Sequence, residues 1–82
     1  MSEFIRSYCL SKFTSNYRLV SDDTELVIPS IFAENDYNRH MSINLESGLW
    51  RCFKTSETGN FLMLYSKLER CSYREAYERL VF

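Results

Sequence analysis

Eighty-two residues, 45% of them hydrophobic and 16% aromatic, lie close to the lower limit for a chain that folds unaided and allow one compact core and one domain. Only 2 Gly and 1 Pro, with 26% charged residues, exclude a collagenous, low-complexity or disordered composition. Ten Lys plus Arg against eleven Asp plus Glu give a formal net charge of −1, without the basic excess of a strongly cationic nucleic-acid binder, so any such binding has to be local or weak.

Phe4, Ile5, Tyr8, Cys9, Lys12, Phe13 and Tyr17 recur at helical spacing and predict an amphipathic helix over about residues 3–13. Thr14, Ser15 and Asn16 end it, and residues 21–24, with Asp22 and Asp23, read as a solvated turn; the first unit, residues 1–24, is helix and loop. Residues 25–32 are rich in β-branched side chains and too short for a globular helix, which predicts a strand, and Pro29 places it at a sheet edge or a bulge. Residues 34–38 are polar and turn-forming. Residues 41–45 and 49–54 flank Glu46, Ser47 and Gly48, a connection of hairpin length with a glycine available for positive φ. A β-sheet over 25–54 follows, then a loop over 55–59. Asn60 can cap a helix whose broad apolar face carries Phe61, Leu62, Leu64, Tyr65 and Leu68. Ser72 and Glu75 form a capping-box pattern that opens a last helix with Ala76, Tyr77 and Leu80 inward, so residues 60–82 are C-terminal helices. The expected fold class is α+β: a small antiparallel sheet packed with one N-terminal and two C-terminal helices.

The longest apolar runs, Leu26 to Ile28 and Phe61 to Tyr65, fall far short of the roughly eighteen residues of a membrane span. The first residues have neither the basic start nor the apolar stretch of a secretory signal, so a cytoplasmic protein without a membrane partner is expected. Cys9, Cys52 and Cys71 are odd in number and widely spaced, which fits reduced thiols and no disulfide.

Met41-Ser42-Ile43-Asn44, Gly48-Leu49-Trp50-Arg51-Cys52-Phe53, Gly59-Asn60-Phe61, Lys67-Leu68-Glu69 and Cys71-Ser72-Tyr73-Arg74-Glu75-Ala76 succeed one another as strand, hairpin return, loop end, helix tail and helix start. With these segments in this order, the chain from Ile31 onward resembles the N-terminal zinc-ribbon domain of bacterial and phage DNA primases. The resemblance implies a zinc-ribbon-like hairpin core that contacts single-stranded template through its sheet. The four zinc-holding positions correspond to Ile31, Glu34, Cys52 and Thr55. Structural zinc requires four good ligands, almost always Cys or His. Ile31 cannot ligate and Thr55 is a poor ligand, so no zinc or other cofactor is expected. Structural zinc is worth roughly 10 kcal/mol of folding free energy in small domains, and its loss has to be offset. The expected replacement is an apolar plug of Ile31 with Leu26, Ile43, Trp50, Phe53 and Phe61, at about 25 cal/mol per Å² of buried apolar surface, and Cys52 reads as a small buried hydrophobe.

Tyr37, Arg39 and His40 lie on the approach to the first hairpin strand, and Arg51 and Lys54 on the return strand. His40, the only histidine, lacks a second ligand or nucleophile at useful spacing and reads as a contact residue. Strand parity puts Leu49, Arg51 and Phe53 on one face and Trp50, Cys52 and Lys54 on the other. Arg51 beside Phe53 suits an unpaired base and its phosphate. The candidate nucleic-acid contacts are therefore Tyr37, Arg39, His40, Arg51, Phe53 and Lys54. Arg39, Arg51 and Lys54 are offset by Glu34, Asp36 and Glu46, which predicts weak binding. A second basic set, Lys67, Arg70, Arg74 and Arg79, is interleaved with Glu69, Glu75 and Glu78 as on a solvated helix face with i,i+4 pairing. No nucleophile with its base, carboxylate pair or phosphate-cradling loop stands out, so no catalysis is expected of this chain. The expected function is a non-catalytic module that holds single-stranded DNA in replication for a catalytic domain not in this chain. The alternative is a phage-type interaction or regulatory protein that reuses the fold to meet a replication or host protein through its aromatic side chains.

Overall fold

The computed structural model of the chain describes residues 1–33 and 38–81. It is an α+β fold: helix α1 (Ser2–Lys12), strands β1 (Arg18–Val20), β2 (Glu25–Ile28), β3 (Met41–Asn44), β4 (Trp50–Cys52) and β5 (Thr58–Gly59), then α2 (Phe61–Glu69) and α3 (Tyr73–Val81). The strands form one antiparallel sheet in chain order, β1-β2-β3-β4-β5.

Two faces follow from the register. Leu19, Leu26, Ile43, Trp50 and Gly59 stand opposite one another on the inner row, and Arg18, Val27, Ser42, Arg51 and Thr58 on the outer row. The inner side chains Leu26, Ile28, Met41, Ile43 and Trp50 are buried against Ile5 and Cys9 of α1 and Phe61 and Leu64 of α2. Alternation of buried with half-buried or exposed residues along β2, β3 and β4 therefore reports a sheet packed through its inner face. Burial pushes the Cys9 thiol up to about 12, so it behaves as a packing group. An aromatic cluster joins α1 to α2: Tyr8 meets Phe61 edge-on at 5.7 Å and Tyr65 at 5.0 Å.

The local signals for caps and turn act as their chemistry requires. Asn60 Oδ1 accepts from the Met63 amide at 3.0 Å. Ser72 Oγ accepts from the Glu75 amide at 3.0 Å, while Glu75 Oε1 accepts from the Ser72 amide at 3.2 Å. Gly48 has φ of +79° in the β3–β4 connection.

Several expectations are corrected. Residues 1–24 contain β1 as well as helix and turn, and the loop over 55–59 contains β5, so the sheet runs from Arg18 to Gly59 rather than over 25–54. Both added strands are too short to show a periodic pattern. The strand expected over 25–32 ends at Ile28, because Pro29 has no amide to continue the ladder; β2 lies inside the sheet and not at its edge. Tyr77 is 56% exposed, since α3 spends Ala76 and Leu80 on the contact with the rest of the protein. The polar turn over 34–38 falls, apart from Asn38, outside the described residues.

Candidate nucleic-acid interface

The uncovered face of the sheet carries the chemistry. Leu49 and Phe53 are 59% and 58% exposed, and Arg51 between them is exposed too. The Arg51 guanidinium stands 5.9 Å from the Phe53 ring centroid. Together with Glu25, Ser42, Asn44 and Thr58 they line a shallow hollow of about 420 Å³. Glu25 is fixed there by two donors: Ser42 Oγ at 2.6 Å and Asn44 Nδ2 at 3.2 Å. Asn44 Oδ1 in turn accepts from the Glu46 and Ser47 amides, both at 2.9 Å, which ties the turn below Leu49 to the sheet.

Trp50 and Cys52 point inward from the same strand, as parity requires. Trp50 Nε1 donates to the Asn60 carbonyl at 2.9 Å, and its ring stacks on Phe32 at 4.3 Å. Lys54 does not share their face: β4 ends at Cys52, and Lys54 is exposed in the turn that follows. The Phe53 amide donates to the His40 carbonyl, which extends the β3–β4 pairing by one step and sets His40 opposite Phe53. Arg39 leaves this group. Its φ is +55°, and its Nη1 donates to Asn16 Oδ1 at 2.7 Å. Arg51 and Phe53 thus converge, His40 adjoins them through the backbone, Arg39 and Lys54 stand apart, and Tyr37 lies outside the described residues.

Arg18 was missed from the sequence. It is exposed on the outer row in line with Arg51, three strand spacings away, or about 14 Å. Arg18, Leu19 and Val20 are too few to carry a strand period, so nothing in the sequence distinguished them from loop.

The residues at the four expected zinc positions do not fit that metal. Ile31 is half-buried against the core and offers no donor, and Glu34 lies outside the described residues. Cys52 is fully buried, but it is more than a small hydrophobe: its Sγ is 2.9 Å from Ser30 Oγ. Burial alone raises this thiol's pKa; hydrogen bonds with the side chains of Ser30 and Thr55 and with the Thr55 and Lys54 backbone outweigh it and leave the pKa below its ordinary value. Hydroxyls and amides therefore occupy the sulfur where metal partners would stand. The apolar plug differs from the expected one in a single ring: Phe53 turns to the open face, and Phe32 stacks on Trp50.

No family model, curated protein or solved structure matches the chain.

Proposed function

We propose that the chain is a non-catalytic nucleic-acid-binding module that takes single-stranded DNA on the open face of its sheet. The observation that carries this reading is the exposed trio Leu49, Arg51 and Phe53 on a face that no helix among the described residues covers, with Arg51 lying over the Phe53 ring. An exposed ring accepts the face of any unpaired base, and a neighbouring guanidinium neutralises the phosphate beside it. Arg18 supplies a second cation on the same face, and Ser42 and Asn44 supply polar edges. The resemblance of residues from Ile31 onward to the primase zinc ribbon points to the same ligand and to a role in replication.

Anisotropy of a labelled single strand titrated with the protein at low and moderate salt tests this. We expect salt-sensitive binding that weakens several-fold in Arg51→Ala and by about 1–3 kcal/mol in Phe53→Ala, the worth of one stacked base. Absence of binding at low salt would overturn it.

A second reading, as a protein-interaction module, has one observation in its favour. Tyr73, Tyr77 and Val81 recur at i, i+4 and i+8 on α3, outside the hairpin, and are 52%, 56% and 56% exposed. Tyrosines of this kind anchor protein interfaces. Binding to a protein partner that is lost in Tyr77→Ala and kept in Arg51→Ala would favour this reading.

A further inference from the structure

Beyond the β5 edge lies a second hollow, between that strand and α2. Phe32, Met63, Lys67, Arg70 and Tyr73 line it, with Glu57 at its rim, and Trp50 and Thr58 border both this hollow and the one on the open face. Its parts match a nucleotide. Met63 and Tyr73 are 41% and 52% exposed and offer apolar surface to a base. Asn60 Nδ2 donates to Tyr73 Oη at 3.5 Å, which orients that ring. Lys67 lies in the last turn of α2 and Arg70 is its C-cap, so both cations stand at the same end of the helix. Lys67 Nζ is held 5.8 Å above the Phe32 ring, which itself stacks on Trp50. Arg70 caps α2 with φ of +55°.

We infer that a single strand lying on the open face crosses the two-residue β5 edge and lodges one nucleotide in this hollow, its base against Met63 and Tyr73 and its phosphate between Lys67 and Arg70. The inference rests on the single-strand reading above and extends its path. Three features support it. The two hollows adjoin, since Trp50 and Thr58 line both. The edge they share is only Thr58–Gly59, with Thr58 exposed and a glycine beside it. The pair of cations complements a phosphate, while Glu57 can accept from the amino group of a base.

The test compares single strands of about four and about twelve nucleotides, a range that separates partial from full occupancy of a small binding platform. The proteins are the full chain, the double variant Lys67→Gln/Arg70→Gln, and Arg51→Ala, each checked for an unchanged circular dichroism spectrum and melting temperature. We expect the double variant to bind the longer strand several-fold more weakly, with a log–log salt slope shallower by about 0.7, and the shorter strand as the unaltered chain does. Unchanged affinity and slope in the double variant, with Arg51→Ala weakened on both lengths, would overturn the second hollow and leave the sheet reading standing. The reverse pattern, loss only in the double variant, would overturn the continuous path and the sheet reading while leaving a separate nucleotide site. No binding of either length by the unaltered chain would overturn both.

Discussion

Gly48 shows how one residue couples the turn to the core. Its φ is +79°, and a Cβ there would collide with the Phe61 side chain and come within 3.3 Å of Ile5 Cδ1. An alanine would carry both the left-handed backbone cost of roughly 1–2 kcal/mol and an overpacking cost of roughly 1–3 kcal/mol. Gly48→Ala is therefore expected to lower stability by about 2–5 kcal/mol, read as a lower urea midpoint at unchanged slope. A loss of only about 1–2 kcal/mol, the backbone cost alone, would show that Phe61 and Ile5 yield freely. Arg51, by contrast, is exposed and packs only over Phe53, so its removal should change binding and leave the midpoint nearly where it was.

Among the elements, α3 and α1 are held by different chemistry. The reciprocal Ser72–Glu75 bonds satisfy amides that the first turn of α3 leaves without helical partners. Ser72→Ala should cost about 0.5–2 kcal/mol, measured by chemical denaturation. Helix α1 is fastened to α2 through Glu69 Oε2, which accepts from Tyr8 Oη at 2.5 Å and pairs with Lys12 Nζ at 3.0 Å. The Tyr8 bond first, and then Lys12, hold the Glu69 carboxyl below its ordinary range. A depressed carboxyl contributes stability above its unfolded value and loses it as pH falls through the folded value. The unaltered chain should therefore exceed Glu69→Gln in urea midpoint at neutral pH, with the gap closing as pH falls through and below the usual glutamate range. Glu75 titrates in the same direction, so the comparison with Glu69→Gln at each pH isolates the α1–α2 contact. A gap independent of pH would show that the carboxylate's charge does not fasten α1.

In a molecule of 35 × 27 × 20 Å, the helices among the described residues cover one face of a five-stranded sheet, and Leu49, Arg51 and Phe53 are exposed on the other. A net charge of −1 gives no overall basic excess, so on the proposed reading binding depends on a few local contacts. Two or three phosphates neutralised on the open face give a log–log salt slope of about −1.4 to −2.1 for a single strand. Because Leu49 and Phe53 need the faces of unpaired bases, annealing the same strand to its complement should weaken binding. Equal anisotropy titrations for strand and duplex would count against base stacking and leave phosphate contact alone.

Local chemistry settles within a few residues, and so it was legible in the sequence: the Asn60 cap, the Ser72–Glu75 box, the Gly48 turn, and the parity that sends Trp50 and Cys52 inward and Arg51 and Phe53 outward. The α+β class follows from those elements and their apolar faces. Strands β1 and β5 were not legible, because three and two residues carry no periodicity and become strands only when β2 and β4 offer their edges. The same long-range pairing decides that Arg18 stands in line with Arg51 and that Arg39 turns away to Asn16. It also brings Phe32 rather than Phe53 against Trp50 and sets Ser30 beside the Cys52 thiol. The sequence by itself therefore determined the caps, the turn and the alternation of faces, whose energies are local. Only the tertiary structure decided which side chains meet across strands, because those contacts join residues far apart in the chain and depend on the pairing of the whole sheet.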